Sequence, residues 1–185
     1  MNIATHFATG YLLARGLRYE VDRFETFFMG IAAIAPNADL VANLFMRDFR
    51  HAVFSHTIIA GVLMAAAMAA AGHFFSRRLL GRTGPAAGRL LALALIAVAS
   101  HFVLDIFTYG GGAGPNPAHA YFWPLWKQSF HMDYLWPGIG WRHRLIVEIL
   151  YSASALGVIV WHDVIRGGKN PLNVFDPRRW RSHAS

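Results

Sequence analysis

Residues 90–109 read Leu-Leu-Ala-Leu-Ala-Leu-Ile-Ala-Val-Ala-Ser-His-Phe-Val-Leu-Asp-Ile-Phe-Thr-Tyr, an apolar run that carries one histidine, His101, and one carboxylate, Asp105. A run of about 20 apolar residues is what an α-helix needs to cross the hydrocarbon core of a bilayer. Three further stretches have that length and character: residues 24–46, residues 56–75 and Leu145–Ile165. The first of these is interrupted by Pro36, Asn37, Asp39 and Asn43. Residues 3–14 are too short to span and predict a half-length or interfacial helix. No basic residues precede that segment and His6 breaks it, so it does not read as a cleavable signal peptide. The expected fold is all-α: a polytopic membrane helical bundle of about four transmembrane helices plus a short N-terminal helix, forming a single domain over residues 1–185.

The composition of the 185 residues agrees, with 55% hydrophobic and only 15% charged residues. A soluble domain carries about 25% charge, and a disordered chain would need low hydrophobicity. The basic residues follow the span ends. Twelve of them (Arg15, Arg18, Arg23, Arg77, Arg78, Arg82, Arg89, Arg166, Lys169, Arg178, Arg179 and Arg181) fall on one side if all four spans cross, against five on the other. By the positive-inside rule the richer side, with the C-terminus, is cytoplasmic. Net charge +7 is also compatible with nucleic-acid binding. No basic stripe interleaves with aromatic residues, however, and no nucleic-acid partner is expected.

Ten histidines and no cysteine restrict any metal site to imidazole and carboxylate ligands. Ionisable groups inside spans are costly and usually mark function. His101 and Asp105 stand i, i+4, which puts them about 40° apart on one helical face, where they can share a divalent ion. A mutual hydrogen bond is the plainer alternative. His51 and His56, in His-Ala-Val-Phe-Ser-His-Thr, stand at the entry to the second span, where Ser55 suits an N-cap. Asp39 follows Pro36 and is either a ligand or general base, or a cap at a proline kink. At 1.5 Å per residue, Asp39 and Asp105 both lie about 22 Å from the cytoplasmic start of their spans, and His101 about 16 Å. His56 opens its span from the outer side, so groups from three spans converge at one depth.

Other groups carry less. His6 reaches that depth only if the N-terminal helix inserts. Glu148 suits an i, i+4 ion pair with Arg144, with a ligand role as the alternative, and His131, Asp133 and His143 lie on the outer loop. His73, His162, Asp163 and His183 fall at the cytoplasmic end and read as bystanders. The glycine-rich segment 110–114 lacks the Lys and Ser/Thr of a phosphate loop. The aromatic run 121–126 suits an interfacial belt or a lid over the site.

The ordered set His6, Pro36-x-x-Asp39, His51-x4-His56-Thr57 and Ser100-His101-x3-Asp105 resembles the YdjM-like family, bacterial inner-membrane proteins described as metal-dependent hydrolases and also labelled LexA-binding. The resemblance runs from Thr5-His6 through Phe122-Trp123-Pro124. Asn37 stands where family members show the first aspartate of Pro-Asp-x-Asp, and Ala52 and Val53 replace an Arg-Gly pair. The family is in turn distantly similar to zinc-dependent phospholipase C, whose His-x3-Asp pair His101 and Asp105 match. The resemblance implies a multi-pass inner-membrane location and a divalent metal, Zn²⁺, held by His6, Asp39, His56, His101 and Asp105. Asp39 or His51 would serve as the catalytic base, and a lipid or lipid-linked phosphoester as the substrate. Two alternatives stand beside it: a non-catalytic metal-binding or regulatory membrane protein, favoured by the departures at Asn37, Ala52 and Val53, and an ion or proton transporter. The last needs a polar path across both leaflets, and the cytoplasmic halves of the spans are nearly pure Ala, Leu and Ile.

Overall fold

Asp22-x-x-Glu25 is a capping box: the Asp22 carboxylate takes the Glu25 N–H at 2.8 Å and the Glu25 carboxylate takes the Asp22 N–H at 3.2 Å. It starts helix α2, Arg23–Ile34, which ends where Pro36 forces a 3₁₀ turn over Ala35–Ala38. The computed structural model describes residues 3–16, 21–39, 55–78, 81, 85–108, 121–126, 141–168 and 170–180. Among these, four more α-helices are present and no strand: α1 (Ile3–Gly16), α3 (Ile58–Arg78), α4 (Ala87–Thr108) and α5 (Trp141–Ile159). A π-helical segment, Val160–Arg166, continues α5, and two 3₁₀ turns, Pro171–Phe175 and Pro177–Trp180, fold back towards α2.

Small residues set the helix spacing, as expected where apolar solvent removes the hydrophobic drive between helices. A Cβ on Gly10 would stand 2.4 Å from the Met29 carbonyl oxygen, so α1 and α2 touch backbone to side-chain-free backbone. A Cβ on Gly61 would stand 2.7 Å from the Phe102 ring, which fixes the crossing of α3 and α4. Around these crossings Phe24, Phe28, Met29, Ala65, Leu90, Ala94 and Ala97 build one core, which Trp180 joins from the C-terminal turns. Glu25, buried at the start of α2, takes both Arg89 Nε at 2.6 Å and Nη2 at 2.8 Å, pinning the first turns of α2 and α4 together.

Among the described residues, three helices are long and apolar enough to cross a membrane: Ile58–Arg78, Ala87–Phe107 and Leu145–Ile165. Only 11% of the last window is buried, and its apolar side chains, such as Leu150 and Leu156, point outward. A helix that is apolar all round and uncovered needs a lipid environment. The expected fourth span, residues 24–46, is not matched in the same way. Its described part is a 12-residue α-helix closed by the proline-containing 3₁₀ turn, and residues 40–54 lie outside the described residues.

Candidate metal centre

His6, His56, His101 and Asp105 meet inside the bundle, all but removed from solvent. Asp105 is the hub. Its Oδ1 lies 3.2 Å from His6 Nε2, and its Oδ2 lies 3.2 Å from His56 Nε2 and 3.0 Å from His101 Nε2. The His56 and His101 Nε2 atoms are 3.1 Å apart, and the His6 ring stacks on His101 with centroids 3.7 Å apart. The contributors come from three separate parts of the chain. The i, i+4 pair His101/Asp105 occupies one face of α4, His6 comes from α1, and His56 stands two residues before α3 begins.

The outer nitrogens of two rings are assigned by what they touch. His101 Nδ1 lies 2.7 Å from the Ala33 carbonyl, which can only accept, so Nδ1 carries the proton. The Ser55 hydroxyl donates to Asp39 Oδ2 at 2.5 Å and stands 2.8 Å from His56 Nδ1. A hydroxyl has one proton to give. With it spent on Asp39, Ser55 accepts from His56 Nδ1–H. Both rings therefore turn their Nε2 lone pairs towards Asp105 when neutral. Two lone pairs and a carboxylate within 3.2 Å of one another repel unless a cation, either a metal ion or protons, stands among them.

The donor set fits a metal. Among the described residues His6 Nδ1 has no hydrogen-bond partner and Nε2 meets only the Asp105 carboxylate, although the ring is fully buried. Such an orphan is expected of a ligand and costly in any other role. His6, His101 and Asp105 each offer a donor atom within 4.8 Å of the others. Ligands of a tetrahedral zinc ion with bonds of about 2.1 Å stand about 3.4 Å apart, close to the 3.0–3.2 Å spacings here. Imidazoles that donate their far N–H to a carbonyl or a carboxylate-linked hydroxyl are oriented as metal-bound histidines usually are.

The other residues singled out in the sequence divide. Asp39 is buried and reaches His56 through Ser55. His51, His131 and Asp133 lie outside the described residues, as do the side chains of His143 and Arg144. Cap duty at α3 falls to Thr57, whose hydroxyl takes the Ala60 N–H at 3.1 Å, and this frees Ser55 to link Asp39 and His56. Tyr121 was legible only as part of an aromatic run. Its hydroxyl donates to the Phe102 carbonyl at 3.1 Å and its ring packs on Phe102, next to His101, while Phe122, Leu125 and Trp126 stay exposed. One end of the run thus closes on the site and the other faces outward. Burial, reinforced by the Asp105 charge, pushes the Tyr121 phenol well above its ordinary range.

Asp163, expected to be a bystander, is buried and accepts a hydrogen bond from the Tyr11 hydroxyl. Arg15 Nη2 stands 3.5 Å from the same oxygen. With the Thr5–Ser152 and Thr9–Tyr151 hydrogen bonds, 2.7 and 2.9 Å, this ties α1 to α5 and so holds the helix that delivers His6. No curated protein and no solved structure gives a significant match to the chain. The chain belongs to the YdjM inner membrane protein family, which matches it over residues 1–166.

Proposed function

We propose that the protein is a membrane-bound metal-dependent hydrolase, with Zn²⁺ as the metal and a phosphoester of a lipid or lipid-linked molecule as the substrate. The observation that carries this is the convergence of three buried imidazoles on Asp105, two of them with the far nitrogen already committed as a donor. His6, His56, His101 and Asp105 would hold the ion. When bound, it supplies Lewis-acid activation of water and polarisation of the ester. Asp39 acts through Ser55, keeping His56 in the tautomer that presents Nε2 and stabilising positive charge on that ring. His51, five residues before His56, is assigned as the proton carrier on the sequence pattern.

The ends of α3 and α4 that carry Arg77, Arg78 and Arg89 lie away from the cluster, which supports a site in the outer half of the bilayer with the C-terminus cytoplasmic. A substrate reaching a site at that depth would come from the lipid headgroup region, hence the substrate class. Asn37, buried in the 3₁₀ turn where the family pattern has an aspartate, favours a second reading in which the metal is bound without turnover. The test is metal content and phosphodiesterase activity of the purified protein, wild type against His101→Ala and Asp105→Ala. The proposal expects about one metal per chain, lost in both variants together with activity on a lipid phosphoester. Unchanged metal occupancy in both variants refutes the ligand assignment, and metal without turnover on a panel of lipid phosphoesters leaves the second reading standing.

A further inference from the structure

An apolar groove of about 270 Å³ opens between α2, α3 and the last 3₁₀ turn. That is near the lower end of the roughly 300–1,000 Å³ of ordinary ligand pockets. Its α3 wall is Met68, Ala71, Gly72 and Phe75, spaced i, i+3, i+4, i+7; Phe24 faces them from α2 and Trp180 closes the end. The groove lies beside Leu90, since a Cβ on Gly72 would stand 3.4 Å from the Leu90 side chain. From Leu90 to His101 along α4 is about 16 Å, so the groove is distinct from the metal centre. It runs along a helix apolar enough to span, and Ala71 and Phe74 beside it are exposed. Its occupant therefore comes from the hydrocarbon.

The groove ends in positive charge. The next position on the Met68–Phe75 stripe is Arg78, and Arg77 adjoins it; both are exposed and, among the described residues, pair with no carboxylate. Arg178 and Arg179, next to Trp180, both reach Asp176, at 3.9 and 3.5 Å. The Trp180 indole donates to the Val174 carbonyl at 2.8 Å, which fixes the ring at the mouth. An apolar slot leading to arginines at a span end matches an anionic amphiphile, its chain in the slot and its phosphate at the guanidinium groups.

We propose that this groove seats one acyl chain of an anionic phospholipid, whose phosphate is held by Arg77 and Arg78. The full-length protein, delipidated in neutral detergent, is titrated with dioleoyl phosphatidylglycerol, dioleoyl phosphatidylcholine and glycerol phosphate, reading bound lipid by native mass spectrometry. The phosphatidylglycerol complex should be favoured over phosphatidylcholine by roughly tenfold or more, glycerol phosphate should not compete, and Arg77→Gln/Arg78→Gln should remove the preference. Ala71→Trp, which fills the slot from an exposed position, should lose both lipids. Equal binding of the two lipids, an unchanged preference in the double arginine variant, or competition by glycerol phosphate overturns the proposal. So does a wild-type dimer that Ala71→Trp converts to a monomer, because a second copy would then occupy the groove.

Discussion

Replacing Ser55 with alanine separates an oriented ligand from a merely buried histidine. Ser55 is 8% exposed, and its hydroxyl holds Asp39 at 2.5 Å and His56 at 2.8 Å. Removing it strips the His56 Nδ1–H of its acceptor and Asp39 Oδ2 of a donor. A hydrogen bond to a charged group contributes about 1.5–3 kcal/mol, and a neutral one about 1 kcal/mol. A loss of about 2–3 kcal/mol follows for the apo fold, because water can enter the space left by a hydroxyl only in part. The effect on metal binding has a separate origin. Outer partners of ligating histidines are worth about 10–100-fold in affinity, and the freed His56 ring can rotate so that neither nitrogen points at Asp105.

Zinc affinity is measured by competition against a fluorescent chelator, with purified wild type, Ser55→Ala, Ser55→Thr and Asp39→Asn compared. Ser55→Ala should lie about 10–100-fold below wild type, and Ser55→Thr, which keeps the hydroxyl, should lie close to wild type. Asp39→Asn should fall between them, since its amide oxygen still accepts from Ser55 but no longer carries charge. Wild-type affinity in Ser55→Ala, alongside a clear loss in His101→Ala, refutes the relay and leaves His56 outside the metal's ligand set.

The other expectations concern how the bundle presents the cluster. Gly10→Ala sets a methyl 2.4 Å from the Met29 carbonyl and 2.9 Å from the Ala33 Cβ, neither of which can turn aside. Overpacking costs about 1–3 kcal/mol and helix propensity returns at most about 1 kcal/mol, so denaturation in detergent should show a net loss. Gly157→Ala, with nothing within 4 Å, is the control and should be neutral or better. Arg89→Ala strips the buried Glu25 carboxylate of both guanidinium hydrogen bonds and leaves it that of the Asp22 N–H; because Arg89 is itself 42% exposed, the loss should be about 1–2 kcal/mol rather than that of a fully buried pair. Wild-type stability in that variant refutes a stabilising role for the pair. Chelation should lower the melting midpoint, since a ligand at a hundred times its Kd stabilises the folded state by about 2.7 kcal/mol. In Asp105→Ala the midpoint should no longer respond to chelator.

The fold was legible because a bilayer demands long apolar helices, and residues 58–78, 87–107 and 145–165 advertise themselves by composition. The 24–46 segment meets the same criterion, yet its described part does not confirm a fourth span. Hydropathy counts residues and does not see that Pro36 withdraws a backbone donor and ends the α-helix at Ile34. His101 and Asp105 were legible because i, i+4 on a helix fixes their relation locally. His6 was the weakest of the three cluster histidines in sequence, for its place depends on how α1 packs, and that is set by Gly10 against Met29, nineteen residues away. Ser55 was assigned to a cap because serine before a helix usually caps. Thr57 is equally able and stands closer to the helix start, so capping was oversupplied and one hydroxyl was left for other work. The Asp163 clamp had no local signal, since Tyr11 and Arg15 reach it across the whole chain.

The cluster also explains why so few charges suffice inside an apolar bundle. An isolated carboxylate at this depth would take up a proton rather than remain ionised. Asp105 instead faces three imidazole nitrogens, and two of those rings have their far N–H engaged by groups that can only accept it, the Ala33 carbonyl directly and Asp39 by way of Ser55. The backbone and Asp39 thereby deny His56 and His101 the tautomer in which Nε2 would donate to Asp105. Neutral rings and a bare carboxylate cannot coexist at 3.0–3.2 Å, so the site demands positive charge at its centre. Protonated imidazoles would meet that demand as ion pairs with Asp105 but would leave His6 Nδ1 buried with no hydrogen bond among the described residues. A single divalent ion would meet it for all four residues at once, and would turn the repulsion among the donors into affinity for the metal.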